Sequence, residues 1–214
     1  MKPNSPPLPT MDMANPSVSL LRFIVSAFMA LLIAALPTVV GAQSAGTPQN
    51  YQLDAGNSNV SARVAFFGLS SKTASFPRME GDVTIVPGAP ERAAIDVTFD
   101  AAALEAPDET TLERLRGERF FWVERYPTIR FVGRSIDLSS KTRGTVTGEL
   151  TARGVTRTET LDVTFASDPT ASNGEAVSFS GEMEIDRRQY GMRSYQLIVG
   201  NKVKIRLNAR MVPR

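Results

Sequence analysis

Residues 177–185 read VSFSGEMEI and residues 203–211 read VKIRLNARM. In both stretches apolar or small residues occupy every second position, and the positions between them are polar or charged. This period of two is typical of a β-strand with one dry face and one wet face. The same alternation occurs in residues 60–66, 95–99 and 161–165. The pattern predicts an all-β chain whose strands each have one apolar face.

Turn-forming residues separate the alternating segments, at 87–90, 139–141, 167–174 and Gly200-Asn201. Strands at such regular spacing form a sandwich or a barrel. A closed antiparallel barrel satisfies the one-sided polarity without leaving unpaired edges. We therefore predict an antiparallel barrel of about eight strands, with a sandwich as the alternative. About eight strands enclose an interior that is either filled by side chains or open to one small ligand.

One segment breaks the period of two and is predicted to be a short helix. Asp108 can cap a helix that carries Leu112 and Leu115 on one face and ends near Gly117. A cluster of aromatic residues follows: Phe120, Phe121, Trp122 and Tyr126. These rings either pack a helical lid onto the core or lie at the mouth of an apolar cavity.

The amino terminus has the pattern of a secretory signal peptide. Arg22 precedes an apolar run at 23–36, and Pro37 and the small-residue triplet Val40-Gly41-Ala42 follow it. This order predicts cleavage after Ala42. The alternative, an uncleaved membrane anchor, is disfavoured because the run is shorter than the ~20 residues of a spanning helix.

Export and cleavage would divide the chain into three parts. Residues 1–42 are expected to be the signal peptide, residues 43–50 a flexible mature amino terminus, and residues 51–214 a single barrel domain. The mature protein would be periplasmic or secreted and would not be an integral membrane protein. Without Cys, the chain has neither a thiol for a lipoprotein anchor nor a disulfide framework.

The composition argues against catalysis, metal binding and nucleic-acid binding. The chain contains no His, which removes the commonest general base and the commonest transition-metal ligand. Its carboxylates are spread over alternating strand positions without a Ca²⁺-binding loop. It has a formal net charge of only +2 and no basic run. We predict no catalytic residue, no metal ligand and no nucleic-acid partner. The alternative, a hydrolase or isomerase, would need an Asp, Glu, Lys or Tyr buried in the barrel.

Ordered blocks along residues 51–214 resemble those of the YceI family, the polyisoprenoid-binding barrels of bacterial envelopes. The most specific block is FFWVERYPTIRF at 120–131. The others are YQLD at 51–54, GELT at 148–151 with GVT at 154–156, IDR at 185–187 with YGM at 190–192, and VGNKV at 199–203.

The resemblance implies an extended lipocalin-like barrel with a short helical lid, which carries a long isoprenoid chain such as a quinone tail or a polyprenol. It implies no cofactor other than such a bound lipid, and a quinone role would favour a membrane b-type cytochrome as partner. The lipid-binding residues are expected among the apolar and aromatic side chains of strands and lid: Phe66, Ile95, Val97, Phe99, Leu112, Leu115, Phe120, Phe121, Trp122, Phe131, Phe165, Phe179, Tyr190 and Met192.

Arginine residues are expected at the polar end of such a ligand. Arg187, Arg188 and Arg193 are expected to contact a head group, because guanidinium suits phosphate or carboxylate. Many members of the family carry His at positions corresponding to Asn57, to Phe66 or Phe67, and to Arg153. Without these imidazoles, we expect recognition chiefly through the apolar tail. The alternative function is an envelope stress or interaction module whose barrel is packed solid.

Overall fold

A computed structural model describes residues 46–214, and the expected signal peptide lies outside them. The described chain is mostly β-structure. Its elements are β1 Gln49–Leu53, β2 Asn59–Phe66, β3 Ser70–Ser75, β4 Met79–Ile85, β5 Ala94–Asp100, α1 Glu109–Arg116, β6 Thr128–Leu138, β7 Arg143–Ala152, β8 Val155–Phe165, β9 Val177–Asp186 and β10 Val199–Pro213. No helix in this part of the chain has the length and apolarity to cross a bilayer.

Eight of the strands close into an antiparallel barrel. Their order is β1-β4-β5-β6-β7-β8-β9-β10, and β10 pairs back to β1 through Met211 and Leu53. The 15-residue strand β10 also pairs with β2, which continues the line of β1 and carries β3 at its outer edge. The predicted barrel is confirmed, and the sandwich is excluded because the ring of strands closes.

The antiparallel order places alternate connections at opposite ends of the barrel. One end carries the β2–β3 turn, the β5–β6 connection with α1, the β7–β8 turn and the β9–β10 connection. We call this the lid end. The opposite end, which we call the far end, carries the β4–β5, β6–β7 and β8–β9 connections.

Two boundaries expected from the sequence are wrong. Gly200 and Asn201 do not form a turn, but lie inside β10 where its pairing with β2 is irregular. A Cβ on Gly200 would come within 3.2 Å of the Ala65 Cβ, so glycine permits the close approach of β10 to β2. Residues 49 and 50, expected to be flexible, pair with β4 as the first residues of β1.

The lid helix begins and ends where its flanking residues predict. The Asp108 side chain caps it by accepting a hydrogen bond from the Thr111 N–H at 2.8 Å. At the other end, the Gly117 N–H donates to the Glu113 carbonyl at 3.0 Å. A helix of eight residues is not stable in isolation, so its position depends on its contacts with the barrel.

Candidate functional site

The barrel encloses a cavity whose wall is almost entirely apolar. Its volume is about 220 Å³, whereas one water molecule needs about 10–15 Å³ of such space. All ten strands and α1 contribute to the wall. Of the 38 lining residues, four carry a polar or charged side chain: Lys72, Thr73, Thr111 and Arg187. A wall of this composition favours an apolar ligand over water.

Aromatic rings lie at both ends of the cavity. Towards the lid end, the Phe76 ring makes edge contacts with Phe121 at 5.8 Å and Phe99 at 6.4 Å between centroids. Near the far end, Phe165 and Phe179 lie 5.7 Å apart. The cavity wall between these two clusters is aliphatic apart from Phe131, so the cavity is a dry tube with aromatic clusters towards its ends.

Most of the lipid-binding residues expected from the sequence line this cavity. The ten that do are Ile95, Val97, Phe99, Leu115, Phe120, Phe121, Phe131, Phe165, Phe179 and Met192. They come from four strands, the lid and the β9–β10 connection, which the fold brings around one space.

Leu112 and Trp122 lie outside the cavity, contrary to expectation. The cavity-facing residues of α1 are Thr111 and Leu115, four positions apart, whereas Leu112 faces an outer depression beside Leu104. At Trp122 the backbone adopts φ 50°, which turns the side chain away from its neighbour Phe121. The indole instead makes an edge contact with Tyr126 at 5.8 Å.

Phe66 and Tyr190 are likewise not part of the cavity wall. Phe66 is the last residue of β2, beyond the barrel, where its ring contacts Phe67 at 4.7 Å and lies below the Lys72 ammonium. Tyr190 is completely buried, and its hydroxyl donates to a Glu159 carboxylate oxygen at 2.7 Å. Burial raises the pKa of Tyr190, so the phenol remains protonated and the side chain is part of the packed core.

Arg187 lines the cavity, but four of its five N–H groups are bonded to the protein. Its side chain is 2% exposed and donates to four main-chain carbonyls, those of Met192, Ser194, Val199 and Gly200, at 2.5–2.9 Å. The guanidinium therefore holds the β9–β10 connection against the start of β10. It is not a free cation for a head group.

Arg188 and Arg193 are placed away from the cavity. Arg188 forms a salt bridge with Asp186 at 2.6 Å, and this hydrogen-bonded contact lowers the pKa of Asp186 to about 2. Arg193 is exposed, and its Nε donates weakly to the Arg188 carbonyl at 3.4 Å. The expected head-group site around these three arginines is therefore not assembled.

The polar groups that do meet at the cavity lie at the lid end. Lys72 of β3 forms a 2.7 Å salt bridge with Asp108, and the Thr111 hydroxyl donates to the same carboxylate at 2.9 Å. The bond from Lys72, followed by those from Thr111, lowers the pKa of Asp108 to about 2. This group of side chains thus combines one ammonium, one carboxylate and two hydroxyls, counting Thr73, and the charges of Lys72 and Asp108 offset each other.

Sequence reasoning did not predict β3, β4 or β7 as strands, although all three contribute to this site. The sequence of β3, SSKTAS, has no apolar alternation. Neither the strand nor the position of Lys72 at the cavity could therefore be predicted. In β4, MEGDVTI, the inward residues Met79, Val83 and Ile85 do alternate with polar ones. That signal was present and would have added them to the wall.

Arg153 occupies a position where many members of the YceI family, which the sequence blocks resemble, carry His. It has φ 51° and precedes Gly154 with φ 72°, the pair of left-handed residues of a tight hairpin turn. Its side chain donates to the carbonyls of Gly191 at 2.6 Å and Glu118 at 2.8 Å. Arg153 therefore fastens the β7–β8 turn to the lid segment and to the β9–β10 connection.

The cavity offers little for acid–base chemistry. None of its lining residues is Asp, Glu or Tyr, and its two titratable groups are Lys72 and Arg187. Across residues 46–214, no three His, Cys, Asp or Glu side chains approach closely enough to hold a metal ion.

Comparison with protein-family models gives a match over most of the chain. Residues 51–211 match the model described as the YceI-like domain. Among curated proteins, a UPF0312 protein of Pseudomonas putida strain GB-1 is 25% identical over 134 residues, which cover 61% of this chain and 69% of the relative. A UPF0312 protein of Pseudomonas syringae pv. tomato is 24% identical over 137 residues, which cover 63% and 70%.

Solved structures share the same architecture. Burkholderia cenocepacia BcnA is 25% identical, with a TM-score of 0.66 over 74% of this chain and 98% of its own. The YCEI protein of Campylobacter jejuni is 19% identical, with a TM-score of 0.58 over 66% and 84%. A polyisoprenoid-binding domain from Saccharophagus degradans is 14% identical, with a TM-score of 0.58 over 77% and 98%.

Proposed function

Because this chain belongs to the YceI-like domain family, we propose that it is a binding protein that carries a long-chain isoprenoid lipid, of quinone or polyprenol type, in its barrel. The observation that carries the proposal is the enclosed cavity of about 220 Å³ with four polar residues among 38. The polyisoprenoid-binding domain of Saccharophagus degradans has the same fold.

The apolar wall can supply the binding energy without polar contacts. Each CH₂ moved out of water contributes about 0.8 kcal/mol, and micromolar affinity corresponds to about 8 kcal/mol. About ten buried carbons, which is two isoprene units, reach that value before the cost of ordering the chain is subtracted. Selectivity for chain length then follows from how much of the tube the tail fills.

The lid end favours a neutral head group. Lys72 is already neutralised by Asp108, and Thr73 and Thr111 offer hydroxyls rather than charge. A quinone carbonyl or an alcohol could exchange hydrogen bonds with these groups. A pyrophosphate would need additional cations, and the buried Arg187 is committed to four carbonyls.

The protein acts, in this proposal, as a periplasmic or secreted carrier and not as an enzyme. Export is inferred from the sequence pattern of residues 1–42. The carrier role is supported by the cavity wall, which lacks carboxylates and phenols. For a quinone ligand, a membrane b-type cytochrome is the proposed partner that would receive it.

The alternative of an interaction module with a solid barrel is less well supported. A solidly packed core leaves few voids larger than a water molecule. This barrel instead has a continuous space that contacts all ten strands and the lid.

Uptake of a long-tailed quinone tests the proposal. Delipidated protein is mixed with the quinone, passed over a gel-filtration column and assayed for the absorbance it retains. Val163 points into the cavity and Thr164 points outward, so Val163→Phe and Thr164→Phe form a matched pair. We expect Val163→Phe to reduce uptake at least tenfold while Thr164→Phe binds like the wild type. Equal uptake by both folded variants would contradict binding inside the barrel.

A further inference from the structure

The strongly exposed large apolar side chains of residues 46–214 are found in one place. Phe67 and Leu69, in the β2–β3 turn, are 60% and 97% exposed, and Leu197, in the β9–β10 connection, is 100% exposed. The two segments are joined by a hydrogen bond from the Phe67 N–H to the Ile198 carbonyl at 2.7 Å. We call Phe67, Leu69 and Leu197 the apolar tip. It lies at the lid end of the barrel.

The turn that carries Phe67 has an unfavourable residue for its backbone conformation. Phe67 has φ 53° and Gly68 has φ 68°, a left-handed pair in which Asn-Gly or Asp-Gly is preferred. A bulky aromatic residue at positive φ is unfavourable, and the Phe67 ring stays 60% exposed although it contacts Phe66. Backbone strain of this kind persists where the side chain has a function. Because the Phe67 side chain points outward, that function is contact with a partner.

The chain segments that carry the tip are basic. Residues 55–79, which include the β2–β3 hairpin, contain no Asp or Glu, and neither do residues 187–214. Arg63 and Arg193 are exposed and form no salt bridge within the described chain. Exposed apolar side chains with unneutralised cations beside them match the surface of an anionic lipid bilayer.

The segments that carry the tip also form part of the cavity wall. Val64 and Lys72 of the hairpin and Val199 at the start of β10 line the cavity on their inner side. A bilayer in contact with the tip would therefore lie next to the mouth where Lys72 meets the lid residue Asp108.

We propose that Phe67, Leu69 and Leu197, flanked by Arg63 and Arg193, form a docking surface that inserts shallowly into an anionic lipid bilayer and brings the lid end against it. The inference rests on the proposed function only for its purpose, the exchange of lipid with the membrane. Docking itself can be measured without any ligand in the barrel.

Because the chain has no Cys, a single introduced thiol can report docking locally. In the full chain, Leu69→Cys is labelled with a polarity-sensitive fluorophore and mixed with vesicles of phosphatidylglycerol and phosphatidylcholine. Lys141→Cys, in the exposed β6–β7 turn at the far end, is the matched control. Both proteins share the apolar run at 23–36, so a difference between the labels reports the tip. We expect a blue shift and quenching by brominated acyl chains at position 69 and neither at position 141.

Two variants test the composition of the surface. Adding Phe67→Ser and Leu197→Ser to the labelled Leu69→Cys chain should weaken vesicle binding about tenfold or more, because apolar contact area is lost. Replacing Arg63 and Arg193 by Ser should abolish the preference for phosphatidylglycerol over pure phosphatidylcholine.

The inference is overturned if positions 69 and 141 respond alike or if neither responds. It is also overturned if the label at 69 shifts with protein concentration in the absence of vesicles, since the tip would then bind a second copy of the chain. If the protein does not dock but still takes up quinone, the docking surface is rejected and the proposed function is retained.

Discussion

Arg187 keeps its charge in a nearly dry position, because four carbonyl dipoles surround its guanidinium. The sequence placed it next to Tyr190 and predicted a head-group contact, since guanidinium suits anions. Carbonyl oxygens satisfy the same donors, and only the three-dimensional path of residues 192–200 determines that they surround Arg187. The residue type was therefore informative about hydrogen bonding but not about its partner.

Replacing Arg187 by Met should destabilise the protein strongly. Four main-chain carbonyls, one of them fully buried and three half-buried, would lose their donor, and an unsatisfied buried acceptor costs about 1–3 kcal/mol. We expect the free energy of unfolding, measured by urea titration, to fall by about 3 kcal/mol or more. Arg187→Lys should recover only part of the loss, because one ammonium cannot reach four carbonyls.

The exposed Arg193 provides the control for this experiment. Arg193→Met should change the free energy of unfolding by less than about 0.5 kcal/mol, as surface substitutions usually do. If Arg187→Met were as stable as Arg193→Met but changed the preference for lipid head groups, our assignment of Arg187 to the fold would be wrong.

Helix α1 is the element that closes the lid end, and it is held by few contacts. Leu115 and Thr111 face the cavity, and Lys72 of β3 holds the capping residue Asp108. The helix and its ends were predictable from Asp108 and Gly117, which form the cap and the stop. Its cavity-facing side was not predictable, because eight residues with two leucines do not define a unique apolar face.

Acid should loosen this lid. The pKa of Asp108 is about 2 in the folded protein and near 3.9 for an ordinary Asp. A folded pKa below the unfolded one means that the carboxylate stabilises the lid above about pH 4 and that this contribution is lost as the pH falls towards about 2. The rate of quinone entry should therefore rise over this window. Stopped-flow measurement of uptake between pH 5 and pH 2.5 provides the readout.

Asparagine variants separate this effect from general acid destabilisation. Asp108→Asn preserves the helix cap but cannot titrate, so its entry rate should already be high at pH 5 and should vary little with pH. Asp186→Asn removes a carboxylate whose pKa is also about 2 but which pairs with Arg188 outside the lid. It should retain the wild-type dependence, and the lid assignment fails if it does not.

The two leucines of α1 provide a second test of the lid. Leu115→Trp adds volume on the cavity side, whereas Leu112→Trp adds it at the outer depression beside Leu104. We expect the first variant to bind a long-tailed quinone about tenfold more weakly and the second to bind it normally. Equal effects on affinity would show that α1 does not line the binding space.

The whole barrel follows from a period of two that continues through most of the chain. Alternation in the segments at 60–66, 95–99, 161–165, 177–185 and 203–211 was sufficient to predict an antiparallel barrel. It was not sufficient to predict β3, whose position depends on pairing with β2 rather than on its own composition. The alternation also could not decide between a filled and an open interior. That outcome depends on how the ring of strands closes and on how the inward side chains pack across the barrel.

The central claim is that the barrel carries an isoprenoid lipid, and the most direct measurement is the mass of whatever the protein holds when it is recovered from its own cells. Organic extraction of the purified protein followed by mass spectrometry should yield about one lipid per chain. The lipids should form a series that differs by whole isoprene units. Protein carrying Val163→Phe should yield much less of it, and protein carrying Thr164→Phe should yield the same amount. Extracts that repeatedly contain no lipid, from folded protein that also fails to take up a long-tailed quinone, would contradict the claim.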